Sequence, residues 1–162
     1  WIGNGLVIPS GPLREGLIAL KRAGCVMING EKNTDIENRI LSHNKEIKIF
    51  YTKHKAQNID EFKNKKVTGF AGIGNPVNFF NLLRDNNIDI LEEISFPDHH
   101  NYFDKELANL INKAKENNTI LLTTEKDYLR IEENYKKNIN CLKIVVEIEN
   151  RNQFIEEIKK VI

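Results

Sequence analysis

Apolar residues fall along this chain in short runs, separated by polar stretches whose apolar positions recur at helical spacing. The runs at residues 25–29, 47–52, 67–71, 88–96, 119–123 and 142–148 predict strands. Helical stripes lie between them: Leu13, Leu17 and Leu20; Ile36, Ile40 and Leu41 in residues 34–42; Val77, Phe79, Phe80, Leu82 and Leu83. Two more follow, with Leu107, Leu110, Ile111 and Ala114 in residues 103–118, and Phe154, Ile155 and Ile158 with Val161-Ile162. Leu6-Val7-Ile8 reads as a short strand, and residues 58–66 as a loop or short helix anchored by Phe62. Strands with apolar cores alternating with amphipathic helices predict an α/β fold with a mainly parallel sheet flanked by helices.

Glycine and proline mark where these elements turn. Pro12 suits a first helical position, with Ser10 or Gly11 as cap and Gly24 as stop. That places Arg14 and Glu15 in the first turn, where a cation opposes the helix dipole. Arg14 is then either a surface residue or one that faces an anion, with Glu15 orienting it or approaching a metal. Gly72-Ile73-Gly74-Asn75-Pro76 joins a strand to a helix, with Asn75 as cap. It is a plain tight turn or one that offers bare N–H groups to a phosphate. It lacks the spacing of the dinucleotide fingerprint, and the chain has no P-loop motif.

Two of the four histidines sit in Ser95-Phe96-Pro97-Asp98-His99-His100, at a predicted strand end. An Asp-His pair can hold one imidazole tautomer, as proton transfer near neutral pH requires. Three readings of this turn stand side by side. Asp98 and His99 could ligate a metal, although such a site needs three or four ligands and no further cluster is evident. The turn could be structural, with Asp98 capping and both histidines packed. Or His99 could be a catalytic or orienting group in phosphoryl transfer, which is mostly positioning and electrostatics. In Thr124-Glu125-Lys126-Asp127 a capping box accounts for Thr124 and Asp127. Lys126 is solvated or aimed at the cleft of His99. In a parallel sheet the turns at 72–75, 98–100 and 123–127 share one edge, where open α/β sheets bind ligands.

Composition narrows the classes little. The 24 basic and 23 acidic residues nearly cancel, so nothing favours nucleic acid. Two distant cysteines, one in an apolar run, fit free thiols in a reducing compartment. No apolar run approaches the ~20 residues of a membrane span, and no signal peptide is visible. The chain begins with Trp1 rather than Met, and is expected to be a piece of something longer.

Five segments in order carry a resemblance: Gly3-Asn4-Gly5; Pro9-Ser10-Gly11-Pro12-Leu13-Arg14-Glu15; Phe70-Ala71-Gly72-Ile73-Gly74-Asn75-Pro76 with Phe79-Phe80; Phe96-Pro97-Asp98-His99-His100 with Tyr102; and Thr124-Glu125-Lys126-Asp127. Together they resemble the C-terminal half of the tetraacyldisaccharide 4'-kinase (lipid A 4'-kinase) family. The resemblance implies the C-terminal lobe of an unusual P-loop kinase. That enzyme moves the ATP γ-phosphate to the 4'-hydroxyl of a tetraacylated glucosamine disaccharide 1-phosphate, at the cytoplasmic face of the bacterial inner membrane. It also implies an N-terminal lobe carrying the P-loop, the catalytic aspartate, the Mg²⁺-binding aspartates and the membrane-docking element. ATP and Mg²⁺ would be bound mainly there.

Carried over by residue, Arg14 and Glu15 take the nucleotide and metal side of the cleft, and Asp98 and His99 the Asp-His position. His99 would pair with the catalytic aspartate of the other lobe and keep it ionised and aimed. His100, Tyr102, Asn75 and Lys126 would support the site or meet substrate. Glu15 is the one conceivable metal ligand. Residues 1–24 are expected as an inter-lobe loop and first helix, and residues 25–162 as the α/β domain. Gly16 stands where the family usually has Pro. Lacking the P-loop, the base and the Mg²⁺ aspartates, the chain alone is expected to be soluble and inactive. It would partner an N-terminal lobe in cis or in trans. The alternative is a non-catalytic α/β module, or a degenerate remnant, that binds a partner lobe.

Overall fold

The computed structural model describes residues 2–160. Val161 and Ile162, expected in the closing helix, lie outside the described residues. In chain order the elements are a 3-10 helix Leu17–Arg22, β1 Cys25–Asn29, α1 Thr34–His43, β2 Lys48–Ala56, a 3-10 turn Ile59–Phe62, β3 Lys66–Ala71 and α2 Pro76–Asp85. Then come β4 Asp89–Ser95, α3 Asp104–Glu116, β5 Ile120–Thr124, α4 Glu125–Arg130, α5 Glu133–Lys136, β6 Asn140–Leu142, β7 Ile144–Ile148 and α6 Arg151–Lys159. The chain divides into two compact units, residues 1–54 with 146–162, and residues 55–145.

The second unit is built on a four-stranded sheet of order β4-β3-β5-β6. Every neighbouring pair in it is parallel. Its middle strand β3 is buried from Val67 through Ala71, as a strand covered on both faces must be. Side chains alternate across it. Val67 and Ala71 join Phe79, Phe80, Leu83 and Leu122 in one core layer. Phe70 joins Leu107, Leu110, Ile111 and Leu121 in the other. Full burial of each Val, Leu, Ile or Phe side chain stabilises by about 1.5–3 kcal/mol. Gly69 makes room for the first layer, since a Cβ there would lie 3.1 Å from the Phe80 ring. β3, β4 and β5 run the same way, so their C-terminal ends, at Ala71, Ser95 and Thr124, lie on one edge.

The first unit contains β1, α1, most of β2 and α6, with β1 and β2 parallel in a three-stranded sheet of order β1-β2-β7. Ile28, Ile36, Ile40, Ile47 and Tyr51 form its core. β1 is less buried than its apolar run suggests: Ile28 is its one buried residue, and Met27 is exposed.

Three local expectations change. The run at 142–148, read as one strand, breaks at Lys143 into β6 and β7, which belong to different sheets. Leu6-Val7-Ile8 contributes only an isolated bridge between Val7 and Leu13. Pro12 does not open a helix, and Arg14 and Glu15 lie in a bend before the 3-10 helix that starts at Leu17. The cause is where the Leu13 backbone spends its hydrogen bonds. Its N–H donates to the Leu6 carbonyl and its carbonyl accepts from the Ile8 N–H, at 3.2 and 2.8 Å. Asn4 staples the same loop, donating to the Ser10 carbonyl at 2.8 Å and accepting from the Leu6 N–H at 3.1 Å.

Candidate active-site edge

The three turns singled out in the sequence meet at the C-terminal edge of the four-stranded sheet, and a buried carboxylate joins them. Asp127, in the first turn of α4, has no solvent exposure. Its Oδ2 accepts from the Gly72 N–H at 3.0 Å and from the Thr124 hydroxyl at 2.7 Å. The Thr124 oxygen in turn accepts from the Asp127 N–H at 3.2 Å, which caps α4. The capping role expected for Thr124 is therefore met, and the carboxylate does more than complete a cap: it ties the end of β5 to the end of β3.

The Asp98–His100 turn is pinned to the same place. Phe96 N–H donates to the Ala71 carbonyl at 2.8 Å, and His99 N–H to the Gly72 carbonyl at 3.1 Å. His99 itself sits at φ +60°, in the left-handed region that is uncommon for a non-glycine residue. Its side chain is 79% exposed. Nδ1 lies 2.9 Å from Arg130 Nη2. The other end of that guanidinium, Nη1, reaches the Gly72 carbonyl at 3.3 Å and Asp127 Oδ1 at 3.5 Å. Asp98 was the residue expected to hold the imidazole tautomer. Its Oδ2 stands 3.8 Å from His99 Nε2, beyond hydrogen-bond range, and Arg130 takes the other ring nitrogen.

His100 points inward. Its ring stacks on Phe96 with centroids 4.7 Å apart, and its Nε2 lies 3.0 Å from Glu106 Oε2. The same carboxylate oxygen accepts from the Phe103 N–H at 2.9 Å, capping α3. These two contacts, the backbone one foremost, hold Glu106 below the usual carboxylate value. Tyr102 packs edge-on against Phe70, Phe96 and His100. Its hydroxyl is buried beside the Asp127 carboxylate, with no hydrogen bond of normal geometry among the described residues. Burial, and then the nearby carboxylate charge, push that phenol well above its usual range. Gly72 fits beneath: a Cβ there would come within 2.8 Å of the Tyr102 oxygen and 3.1 Å of His100 Cβ.

The other expected residues are placed as follows. Asn75 occupies the N-cap position of α2, with Pro76 following, but makes no side-chain cap bond and is exposed. Lys126 is exposed on α4. In the first unit, Glu15 pairs with Arg22, and Arg14 is exposed. Among the described residues no group of three His, Cys, Asp or Glu side chains is placed to hold a metal. Arg130 escaped the sequence reading. Its signal was the Asp127-x-x-Arg130 spacing, which puts both on one face of α4.

These features define an α/β protein whose parallel sheet, covered by helices on both faces, gathers polar turns at its C-terminal edge. The chain belongs to the tetraacyldisaccharide-1-P 4'-kinase family, whose family model matches residues 1–162. A tetraacyldisaccharide 4'-kinase of Pelagibacter ubique is 38% identical over 163 residues, covering 99% of this chain and 52% of that protein. One from Rickettsia bellii is 40% identical over 160 residues, covering 98% and 48%. The chain thus spans about half the length of the curated relatives it matches. The crystal structure of "apo" form LpxK from Aquifex aeolicus in complex with ATP shares the fold, with a TM-score of 0.65 and 24% identity over 96% of this chain and 48% of that one.

Proposed function

We propose that this chain is the C-terminal lobe of a lipid A 4'-kinase. In the complete enzyme the ATP γ-phosphate passes to the 4'-hydroxyl of a tetraacyldisaccharide 1-phosphate at the cytoplasmic face of the inner membrane. The observation that carries the reading is the His99 turn. It is pinned to the sheet edge by Gly72, and its exposed imidazole makes no hydrogen bond at Nε2 among the described residues, where Asp98 Oδ2 stands 3.8 Å away, so that nitrogen can meet a group from outside the unit. In this reading that group is a catalytic carboxylate from an N-terminal lobe. The imidazole keeps the carboxylate ionised and aimed while it receives the proton of the sugar hydroxyl. Arg14 and Glu15 serve the nucleotide side, and Asn75, His100, Tyr102 and Lys126 support the site or the acceptor. Support comes from the family match over the whole chain, and from the ATP complex of the Aquifex relative. No helix among the described residues is long and apolar enough to cross a membrane. In this reading the other lobe carries the membrane-docking element.

The test is transfer of labelled γ-phosphate from ATP to the tetraacyldisaccharide 1-phosphate with Mg²⁺. It compares the chain alone with the chain fused to the half of the Pelagibacter relative that it does not match. The expected result is turnover by the fusion and none above buffer by the chain alone. Robust turnover by the chain alone, or none by a folded fusion, contradicts the reading.

A further inference from the structure

The partner of His99 Nδ1 is a guanidinium, and this fixes the imidazole's role. Arginine carries only donors and stays protonated in proteins. At 2.9 Å from Arg130 Nη2, His99 Nδ1 must accept. A ring protonated at Nδ1 would set two donors against each other. The neutral ring therefore carries its proton on Nε2, the nitrogen that Arg130 does not cover. The guanidinium is itself held. Asp127 and the Gly72 carbonyl take its Nη1, and the Gly72 carbonyl also takes the His99 N–H. One carbonyl thus anchors both the backbone of His99 and the side chain that reads its ring. Arg130 is largely covered, at 26% side-chain exposure, while the His99 ring is open.

We infer that Arg130 is a positioning residue for His99: it locks the Nε2–H tautomer and orients that N–H as a hydrogen-bond donor to an acceptor arriving at the sheet edge. The inference deepens the kinase reading and rests on it for the identity of the acceptor, a carboxylate. The locked tautomer itself needs no kinase. Arginine suits the place because its planar fork spans two acceptors and the ring nitrogen together, which a lysine ammonium does only one contact at a time.

Two readouts test this. The first is the ¹⁵N signature of the histidine ring nitrogens in the 162-residue chain, at a mildly alkaline pH where ordinary imidazoles are neutral. The expected result is a single His99 tautomer, with Nδ1 unprotonated and Nε2 protonated. Arg130→Met should give a tautomer mixture at His99 and leave His43 and His54 unchanged, and Arg130→Lys should restore the Nε2–H form at least in part. Wild-type His99 protonated at Nδ1, or unchanged by Arg130→Met, overturns the inference. The wild-type spectrum decides even where Arg130→Met fails to fold. The second readout is kcat of the fusion enzyme, expected to fall at least ~10-fold in Arg130→Met, with partial rescue by Arg130→Lys. An active fusion whose kcat ignores Arg130→Met overturns the positioning role alone. A locked tautomer in a chain that no fusion makes active contradicts the kinase reading and leaves the Arg130–His99 pairing standing.

Discussion

The buried Asp127 carboxylate accepts the Gly72 N–H at 3.0 Å, across 55 residues of sequence. That bond joins the end of β5 to the end of β3 and sets the floor on which the His99 turn rests. Asp127→Asn keeps the shape but can turn an amide N–H₂ toward donors that now lack an acceptor. Leaving buried donors unpaired and Arg130 without its carboxylate should cost about 2–4 kcal/mol. A urea titration of both proteins checks this, and equal midpoints would remove Asp127 as the joint.

Two glycines two residues apart should respond differently to alanine. A Cβ at Gly72 would press on the Tyr102 oxygen at 2.8 Å, His100 Cβ at 3.1 Å and Asp127 Oδ1 at 3.3 Å. These groups are packed, so Gly72→Ala should destabilise by about 1–3 kcal/mol. The nearest group to a Cβ at Gly74 would be the Asp98 carboxylate, at 3.2 Å, and that side chain is half exposed and can swing away. Gly74→Ala should stay within about 0.5 kcal/mol of wild type. Thermal melts of both variants make the comparison.

The start of α3 should weaken in acid. The Phe103 N–H and then His100 hold Glu106 below its ordinary value of 4.5. A carboxylate with a depressed folded value contributes stability that is fully present above the unfolded value and lost as pH falls through the folded one. The stability gap between wild type and Glu106→Gln should therefore be constant near neutrality and close below about pH 4.5. Melting temperatures measured from neutral pH to about pH 3 report this. A gap that widens in acid reverses the sign of the account.

Thr124 serves two elements with one hydroxyl. Thr124→Val removes the cap of α4 and the donor to Asp127 together, and should cost about 1–2 kcal/mol, while Thr124→Ser keeps most of it. A loss in Thr124→Ser with none in Thr124→Val would mean that the methyl group, not the hydroxyl, matters there.

The sheet was legible because burial on both faces leaves β3 nothing but apolar or small residues between Lys66 and Gly72. The edge was legible because glycine, proline and histidine cluster where parallel strands end. The first helix was not. Pro12 and the leucines after it advertise a helix start, but Leu13 pairs its backbone with Leu6 and Ile8, a contact no local pattern displays. Arg130 was hidden for a similar reason. Its bond to His99 spans 31 residues, and only its spacing from Asp127 is local. Lys126, the residue that local reasoning left unexplained, is exposed on α4, four residues before the cation that reaches His99.

The most direct measurement is kcat for phosphate transfer by the fusion enzyme carrying His99→Ala, against the unaltered fusion. Loss of an orienting or proton-transfer group at the reacting edge predicts a fall of ~10²–10⁴-fold, with the fold intact by thermal melt. Equal turnover in the two proteins would take His99, and the edge built around it, out of the reaction.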